Sequence, residues 1–136
     1  MRIAYLDVFC GLSGDMFLGA LIDAGVDRAA LVTELRKLPL EPWDLRAEPV
    51  LKGGLRGLQA QVIAQEHEHN HGHGHGHGMS PDDLIALIRG GSLREELIER
   101  AVQVVEVITE AEAQVHGVGR KRVHFHELGG MDTIID

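Results

Sequence analysis

Four segments of the chain are predicted to be β-strands. Residues 2–9 form a short run rich in β-branched and aromatic side chains, which predicts a buried strand. The pair Gly53–Gly54 separates residues 44–51 from residues 55–65, and the second of these segments alternates apolar and polar positions. Together they predict a β-hairpin. We expect residues 121–126 to add a further strand.

Helical spacing of apolar residues predicts three short helices. The first follows the loop at residues 10–14 and ends at Gly25, whereas the second begins at Asp27 as its N-cap and runs toward Pro39. The third opens with Ser80 as N-cap and with proline and acidic residues in its first turn, as helix N-termini favour.

A longer helix is predicted from its N-cap at Ser92 to His116 and Gly117. Its apolar residues recur every three or four positions, which is typical of a helix with one buried face. They are Leu97, Ala101, Val104, Val105, Ile108, Ala111 and Val115.

These elements predict one α/β domain over residues 1–136, with a small mixed sheet covered by three to four helices.

The chain has 13 Lys and Arg against 21 Asp and Glu, a formal charge of -8. It shows no basic stripe, so we expect no nucleic-acid partner. The lone Cys10 cannot form an intramolecular disulfide, and neither a signal peptide nor a membrane span is apparent, which indicates a cytoplasmic protein. Because Ile134–Ile135 stands at the end without a polar tail, we expect a portion of a longer protein.

A histidine tract interrupts this pattern between the hairpin and the third helix. Six histidines stand at alternate positions: His67, His69, His71, His73, His75 and His77. Residues 66–79 offer little apolar surface to offset ordering entropy, so we expect a mobile, disordered loop. Neutral imidazole binds nickel, zinc and copper, and the interleaved glycines allow several rings to reach one ion. The tract therefore predicts metal binding, with a purification tag or an inert repeat expansion as alternatives.

A second group of metal-ligating residues lies near the end of the chain. His124 and His126 flank Phe125, so in an extended segment both imidazoles project from one face, and Glu127 adds a carboxylate. Asp132 and Asp136 share a face if residues 131–136 are helical. The alternative to metal binding is that these side chains are structural residues held by hydrogen bonds.

Two more acids flank the first loop. Asp7 ends the predicted first strand and Asp15 begins the following helix, at the sheet edge where open α/β folds place ligands. Gly11, Ser13 and Gly14 offer backbone N–H groups at that helix N-terminus and form a candidate anion cradle for a cofactor. Taken alone, Asp15 is best explained as an N-cap.

Four motifs, taken in order, carry a family resemblance. They are residues 7–16 (Asp-Val-Phe-Cys-Gly-Leu-Ser-Gly-Asp-Met), the histidine tract, residues 111–117 (Ala-Glu-Ala-Gln-Val-His-Gly) and residues 123–129 (Val-His-Phe-His-Glu-Leu-Gly). Together they closely resemble the N-terminal region of the LarC family, the nickel-insertion proteins of nickel-pincer cofactor biosynthesis. The family pattern often has Cys where Val8 stands and Ser where Cys10 stands, so neither position is expected to carry indispensable chemistry. Leu128 and Gly130 replace the usual Val and Ala.

The resemblance implies a nickel insertase of the lyase class. Its substrate would be pyridinium-3,5-bisthiocarboxylic acid mononucleotide, and its product would serve lactate racemase and related nickel-pincer enzymes. Insertion in that family depends on CTP with a divalent cation, Mg or Mn, bound through the C-terminal region. Full-length members are considerably longer than this chain, which therefore resembles the N-terminal portion and is expected to hold nickel without completing the reaction.

The residues and the resemblance together suggest a handoff. The tract would concentrate nickel and pass it to His124, His126 and Glu127, with Asp7, Asp15 and Asp132 as helpers. Two other functions stay open: a nickel or zinc storage or chaperone module, and a metal-dependent phosphate-ester hydrolase using Asp7, Asp15 and the two histidines. The C-terminal region is the expected partner, and a second copy of the chain is kept as another.

Overall fold

The computed structural model describes residues 3–8, 11–64, 79–125 and 130–136. Within these ranges the chain forms helices, one antiparallel hairpin and a 3₁₀ turn at Arg120–Arg122. In chain order the elements are α1 (Gly14–Asp23), α2 (Arg28–Leu35), β1 (Trp43–Lys52), β2 (Leu55–Ala64), α3 (Pro81–Arg89), α4 (Glu95–His116) and α5 (Met131–Ile135). The α/β class is confirmed.

The first two helices begin and end close to where the sequence predicts. α1 stops at Asp23, two residues before Gly25. Asp27 is the N-cap of α2, and its carboxylate accepts a hydrogen bond of 2.9 Å from the Ala29 backbone N–H. That bond satisfies one of the helix donors that lack an intrahelical acceptor.

The predicted hairpin is confirmed with its turn. β1 and β2 pair antiparallel from Trp43 opposite Ala64 to Lys52 opposite Leu55. Gly53 and Gly54 have φ values of +57° and +81°. Positive φ at both central residues matches the right-handed twist of the flanking strands, and glycine adopts it without a steric penalty.

The two later helices pack together, and their ends follow local chemistry. At the start of α3 the Ser80 hydroxyl accepts a hydrogen bond of 3.1 Å from the Asp83 backbone N–H. α4 ends at a left-handed Gly117. The predicted N-cap at Ser92 is wrong: α4 begins at Glu95 with Arg94 at the N-cap position, and the Ser92 N–H donates to the Lys37 carbonyl at 3.0 Å.

The buried stripe of α4 differs from the predicted one. The buried residues are Ile98, Val102, Val105, Thr109 and Ala113. Val105 is the one member that the two stripes share, whereas Leu97, Val104 and Val115 are exposed. Two apolar stripes run along this helix, and periodicity alone does not tell which of them meets the core.

The core has two clusters. One lies between α3 and α4 and includes Leu84, Ile88 and the extended Val123 and Phe125. The other lies between the hairpin, α1 and α2, with Leu45 and Ala60 almost fully buried. α5 touches both, since Ile134 packs on the first cluster while Ile135 and Met131 pack in the second.

The sheet is smaller than the sequence predicts. Within the described ranges residues 3–8 form no strand, and Ile3 and Tyr5 are 79% and 88% exposed. A strand needs a neighbour for its backbone N–H and C=O groups, and β1 pairs with β2 rather than with this segment. Residues 121–125, the described part of the predicted strand at 121–126, also do not join the sheet. Residues 121 and 122 belong to the 3₁₀ turn. The backbone N–H of Phe125 donates to the Met79 carbonyl at 3.0 Å, which forms an isolated β-bridge.

Among the described residues, none of the helices combines the length and apolar character needed to cross a membrane.

The packing of α1 on β2 leads to a test at Gly19. This buried glycine faces the β2 backbone, and a Cβ there would overlap the Leu58 carbonyl oxygen. Gly→Ala in a helix interior ordinarily stabilises by about 1 kcal/mol. We expect Gly19→Ala to destabilise instead, by about 2 kcal/mol or more, because backbone has to shift.

Urea unfolding followed by circular dichroism measures this difference. Gly57→Ala is the matched control, since a Cβ at that position meets open space. Equal or greater stability of Gly19→Ala would show that α1 does not lie directly on β2.

Candidate functional site

The candidate site starts at the N-terminus of α1. Ser13 precedes the helix in an extended conformation, and its side chain makes no capping bond to the backbone. Its hydroxyl instead donates to the carboxylate of Asp15, which lies in the first helical turn. Asp15 is therefore a half-buried acid near the positive end of the helix dipole rather than an N-cap.

Asp136 reaches this helix N-terminus from α5. Its backbone N–H donates to the Asp132 carbonyl at 2.9 Å and continues the last turn of α5. A Cβ at Gly14 would overlap the Cβ of Asp136, so the two backbones meet closely at this point. A backbone hydrogen bond from Asp15 also reaches the Asp136 carboxyl group. Glycine at position 14 is what permits the approach.

Three carboxylates consequently line one cavity. Asp15, Asp132 and Asp136 form one side, and residues 59–64 of β2 form the other. The cavity has a volume of about 620 Å³ and opens to solvent. The prediction that Asp132 and Asp136 share a face of a helix is confirmed. Sequence reasoning missed the contribution of Gln59 and Gln61, whose alternation along β2 was the available signal.

The electrostatics of the cavity are unfavourable for a third negative charge. Burial raises the pKa of Asp136 above its ordinary value of 3.8, and the charges of Asp15 and Asp132 raise it further. The backbone hydrogen bond from Asp15 opposes this by stabilising the carboxylate. The arrangement favours a proton or another cation at this point.

The remaining predicted site residues lie elsewhere or outside the described ranges. Asp7 is exposed in the unpaired segment at residues 3–8, and neither it nor His124 lines the acidic cavity. His124 is exposed between Val123 and Phe125, which are both buried, so the predicted alternation holds there. His126, Glu127, Cys10 and the histidines of the tract fall outside the described residues.

No three histidine, cysteine or carboxylate side chains in the described part of the chain are grouped so that they could hold a metal ion. The acidic cavity is therefore a region of negative potential rather than a preformed coordination site. In that same part of the chain, the cluster required by a phosphate-ester hydrolase does not form, because Asp7 and His124 lie away from the cavity that Asp15 lines.

The surroundings of Gly11, Ser13 and Gly14 disfavour a nucleoside triphosphate. The Asp136 carboxyl group already lies against the first turn of α1, where an anion would bind. Three carboxylates around the same cavity would also repel a triphosphate.

Comparison with known proteins shows the family. The model of the family described as nickel insertion protein matches residues 4–136, and the chain belongs to that family. No solved structure matches it.

Several curated relatives align with nearly the whole chain. A relative from Roseiflexus castenholzii is 46% identical over 99% of this chain and 32% of its own length. Two others are named pyridinium-3,5-bisthiocarboxylic acid mononucleotide nickel insertion protein. The one from Geobacillus kaustophilus is 43% identical and the one from Desulfitobacterium hafniense is 41% identical, each over 100% of this chain and over 34% and 32% of their own lengths. The chain spans about a third of the length of these relatives.

The raised pKa of Asp136 predicts a pH-dependent effect of Asp136→Asn. An acid whose pKa is higher in the folded state stabilises the fold below its unfolded pKa, near 3.8, and loses that contribution as the pH rises through its folded value. The charged form is thus unfavourable at neutral pH. Asparagine removes the charge and keeps an oxygen that accepts from the Asp15 backbone.

We therefore expect Asp136→Asn to raise the thermal unfolding midpoint at neutral pH, with the difference closing below about pH 4. Differential scanning calorimetry across this range measures it. Glu48→Gln, which removes one negative charge from an exposed position of β1, is the control. A destabilised variant at neutral pH would contradict the assigned electrostatics.

Proposed function

We propose that this chain binds nickel and takes part in its insertion into pyridinium-3,5-bisthiocarboxylic acid mononucleotide. The observation that carries the proposal is the family match over residues 4–136, together with relatives of that printed name at 41–43% identity. Nickel is here the substrate that is moved.

The histidine tract supports a role in collecting nickel. Six imidazoles at alternate positions provide ligands of the type that nickel prefers. Tethering them to the domain raises the effective concentration of nickel at any acceptor site nearby. Imidazole coordination requires the neutral ring, so loading should weaken as the pH falls through about 6.5.

A more ordered acceptor is proposed at His124, His126 and Glu127. His124 supports this choice, because its exposed side chain stands between two buried neighbours, one of which, Phe125, donates its backbone N–H to the Met79 carbonyl. A ligand on such a fixed backbone orients a metal better than a glycine-rich loop does.

Asp15 and Asp132 would help by making the potential of the acidic cavity favourable for a cation. Gly14 is explained by its close approach to Asp136 and Ser13 by its hydrogen bond to Asp15, which disfavours the proposed anion cradle at Gly11, Ser13 and Gly14. Asp7 keeps its proposed helper role, and its exposure leaves it free to face another part of the full-length protein.

The complete reaction is assigned to the full-length protein. CTP with Mg or Mn is proposed to bind outside these residues, in keeping with the poor fit at α1. This portion alone would hold nickel without acting as the lyase-class insertase, and the finished cofactor would pass to a nickel-pincer enzyme such as lactate racemase. We propose a cytoplasmic location.

A storage or chaperone module is the second candidate, and the tract favours it. In that case the folded part would only present the histidines, and no ordered acceptor would be needed. The two candidates differ in what happens when the acceptor histidines are removed while the tract is intact.

Replacing His124 and His126 by Ala in the full-length protein should abolish nickel insertion, because the ion would reach no ordered ligands. Formation of the nickel-containing mononucleotide, followed by absorbance and mass spectrometry, measures this. His116→Ala is the control, since His116 is exposed and bonds Glu112 on α4, at 3.1 Å. Unchanged insertion by the double variant would refute the proposed acceptor.

Deleting residues 67–77 from the full-length protein should spare insertion at high free nickel and impair it when nickel is scarce. A collecting arm matters only when the supply of the ion is limiting. A variant in which a Gly/Ser segment of the same length replaces residues 67–77 controls for the change in chain length. Equal loss at both nickel concentrations would mean that the tract itself forms the acceptor site.

A further inference from the structure

Helix α4 has a second apolar stripe that this chain covers only in part: Ala101 and Ile108 pack against the α3–α4 cluster, and the other residues of the stripe are exposed. Alternating steps of four and three residues join its members from one end of the helix to the other: Leu97, Ala101, Val104, Ile108, Ala111 and Val115, here called the outer seam. The same alternation defines the a and d positions of a coiled coil, where one helix lies along another.

Several side chains of the outer seam are exposed to solvent, although a coiled-coil pattern ordinarily marks a buried helix face. Leu97, Val104 and Val115 are 37%, 59% and 80% exposed, and Val107, which flanks the seam, is 70% exposed. The neighbouring stripe of α4 is already buried in the α3–α4 cluster. A soluble surface helix normally carries polar residues on its outer face, so contiguous valines there indicate a surface that packs against something.

The surroundings of the seam have the shape of a groove. An apolar cavity of about 310 Å³ lies where Val104 and Ile108 face Leu84 of α3 and Ile134 of α5. A second, more open cavity of about 490 Å³ continues along Val104 and Val107, with Arg100 at its margin. A groove of this kind accepts the apolar face of one more helix.

We propose that the outer seam is the docking surface for a helix from the part of the full-length protein beyond these 136 residues. The relatives are about three times as long as the portion that matches this chain, so most of their length is available to cover it. A second uncovered apolar surface, at Ile3 and Tyr5, points the same way. A dimer of this chain through α4 would cover the seam and leave that surface exposed, whereas a larger protein can cover both.

The proposal depends on the family relationship and not on nickel chemistry. Its failure would leave the proposed nickel function unaffected, and failure of the nickel function would leave the docking surface in place. The readout is therefore solvent access to the seam and not activity.

The experiment compares thiol reactivity in two contexts. Val104→Cys and Val115→Cys are placed singly on a Cys10→Ser background, once in this chain and once in a full-length chimera. In the chimera these 136 residues replace the matching portion of the Geobacillus kaustophilus relative. Glu106→Cys is the control, because Glu106 is exposed on α4 away from the seam. Reaction with 5,5′-dithiobis(2-nitrobenzoate) gives the rates, and sedimentation velocity gives the oligomeric state.

The expected result is that both seam cysteines react about tenfold or more slowly in the chimera than in the isolated chain, while the control cysteine reacts equally fast in both. The measurement is repeated with the same cysteines at the aligned positions of the Geobacillus kaustophilus protein, which contains no chimeric junction that could disturb folding. Seam cysteines that stay fully reactive in that protein would overturn the proposal. Protection that already appears in the isolated chain, and rises with its concentration as a dimer forms, would assign the seam to a second copy and would overturn it too.

Discussion

The short helix α5 is the element on which the arrangement of the rest depends. It has five residues, too few to be a stable helix by itself, so its conformation comes from packing. Ile134 contacts the α3–α4 cluster, Ile135 is buried in the hairpin cluster, and Asp136 lies against Gly14 of α1. One turn of helix thereby joins the two halves of the core and brings three carboxylates to one cavity.

That junction has an electrostatic cost that the chain tolerates. Asp136 is brought near two like charges and is partly desolvated, which raises its pKa. The chain has a formal charge of -8, and three of its carboxylates line the solvent-exposed cavity beside β2, so the electrostatic potential there is negative. In the proposed function, such a region would attract the nickel ion without fixing its coordination geometry. In the proposed function the coordination geometry comes from histidines, and His124 is the proposed ligand whose buried neighbours fix its backbone.

Local features of the fold were predictable from sequence, and features that need a distant partner were not. The Gly53–Gly54 turn and the Asp27 cap depend on residues within a few positions of each other, and both are confirmed. Residues 3–8 have the composition of a strand, but the described part of the chain offers them no neighbour to pair with. On α4 the periodicity identified apolar stripes, whereas the choice of the buried one depends on where α3 lies.

The same distinction applies to the site. The four-residue spacing of Asp132 and Asp136 predicted their shared face correctly, because it is a property of one helix. Their meeting with Asp15 depends on Gly14 and on the packing of α5, which periodicity does not report. The contribution of Gln59 and Gln61 depends on which face of the hairpin α1 covers.

The proposed function requires a nickel acceptor in the folded domain that is distinct from the histidine tract. Calorimetric titration of nickel into this chain and into a variant lacking residues 67–77, at about pH 7.5 where imidazole is neutral, tests it most directly. We predict that the shortened chain loses most of the binding but retains one site, and that His124→Ala in that background removes it. Complete loss of nickel binding on deleting the tract alone would contradict the proposal that the folded domain has its own nickel acceptor.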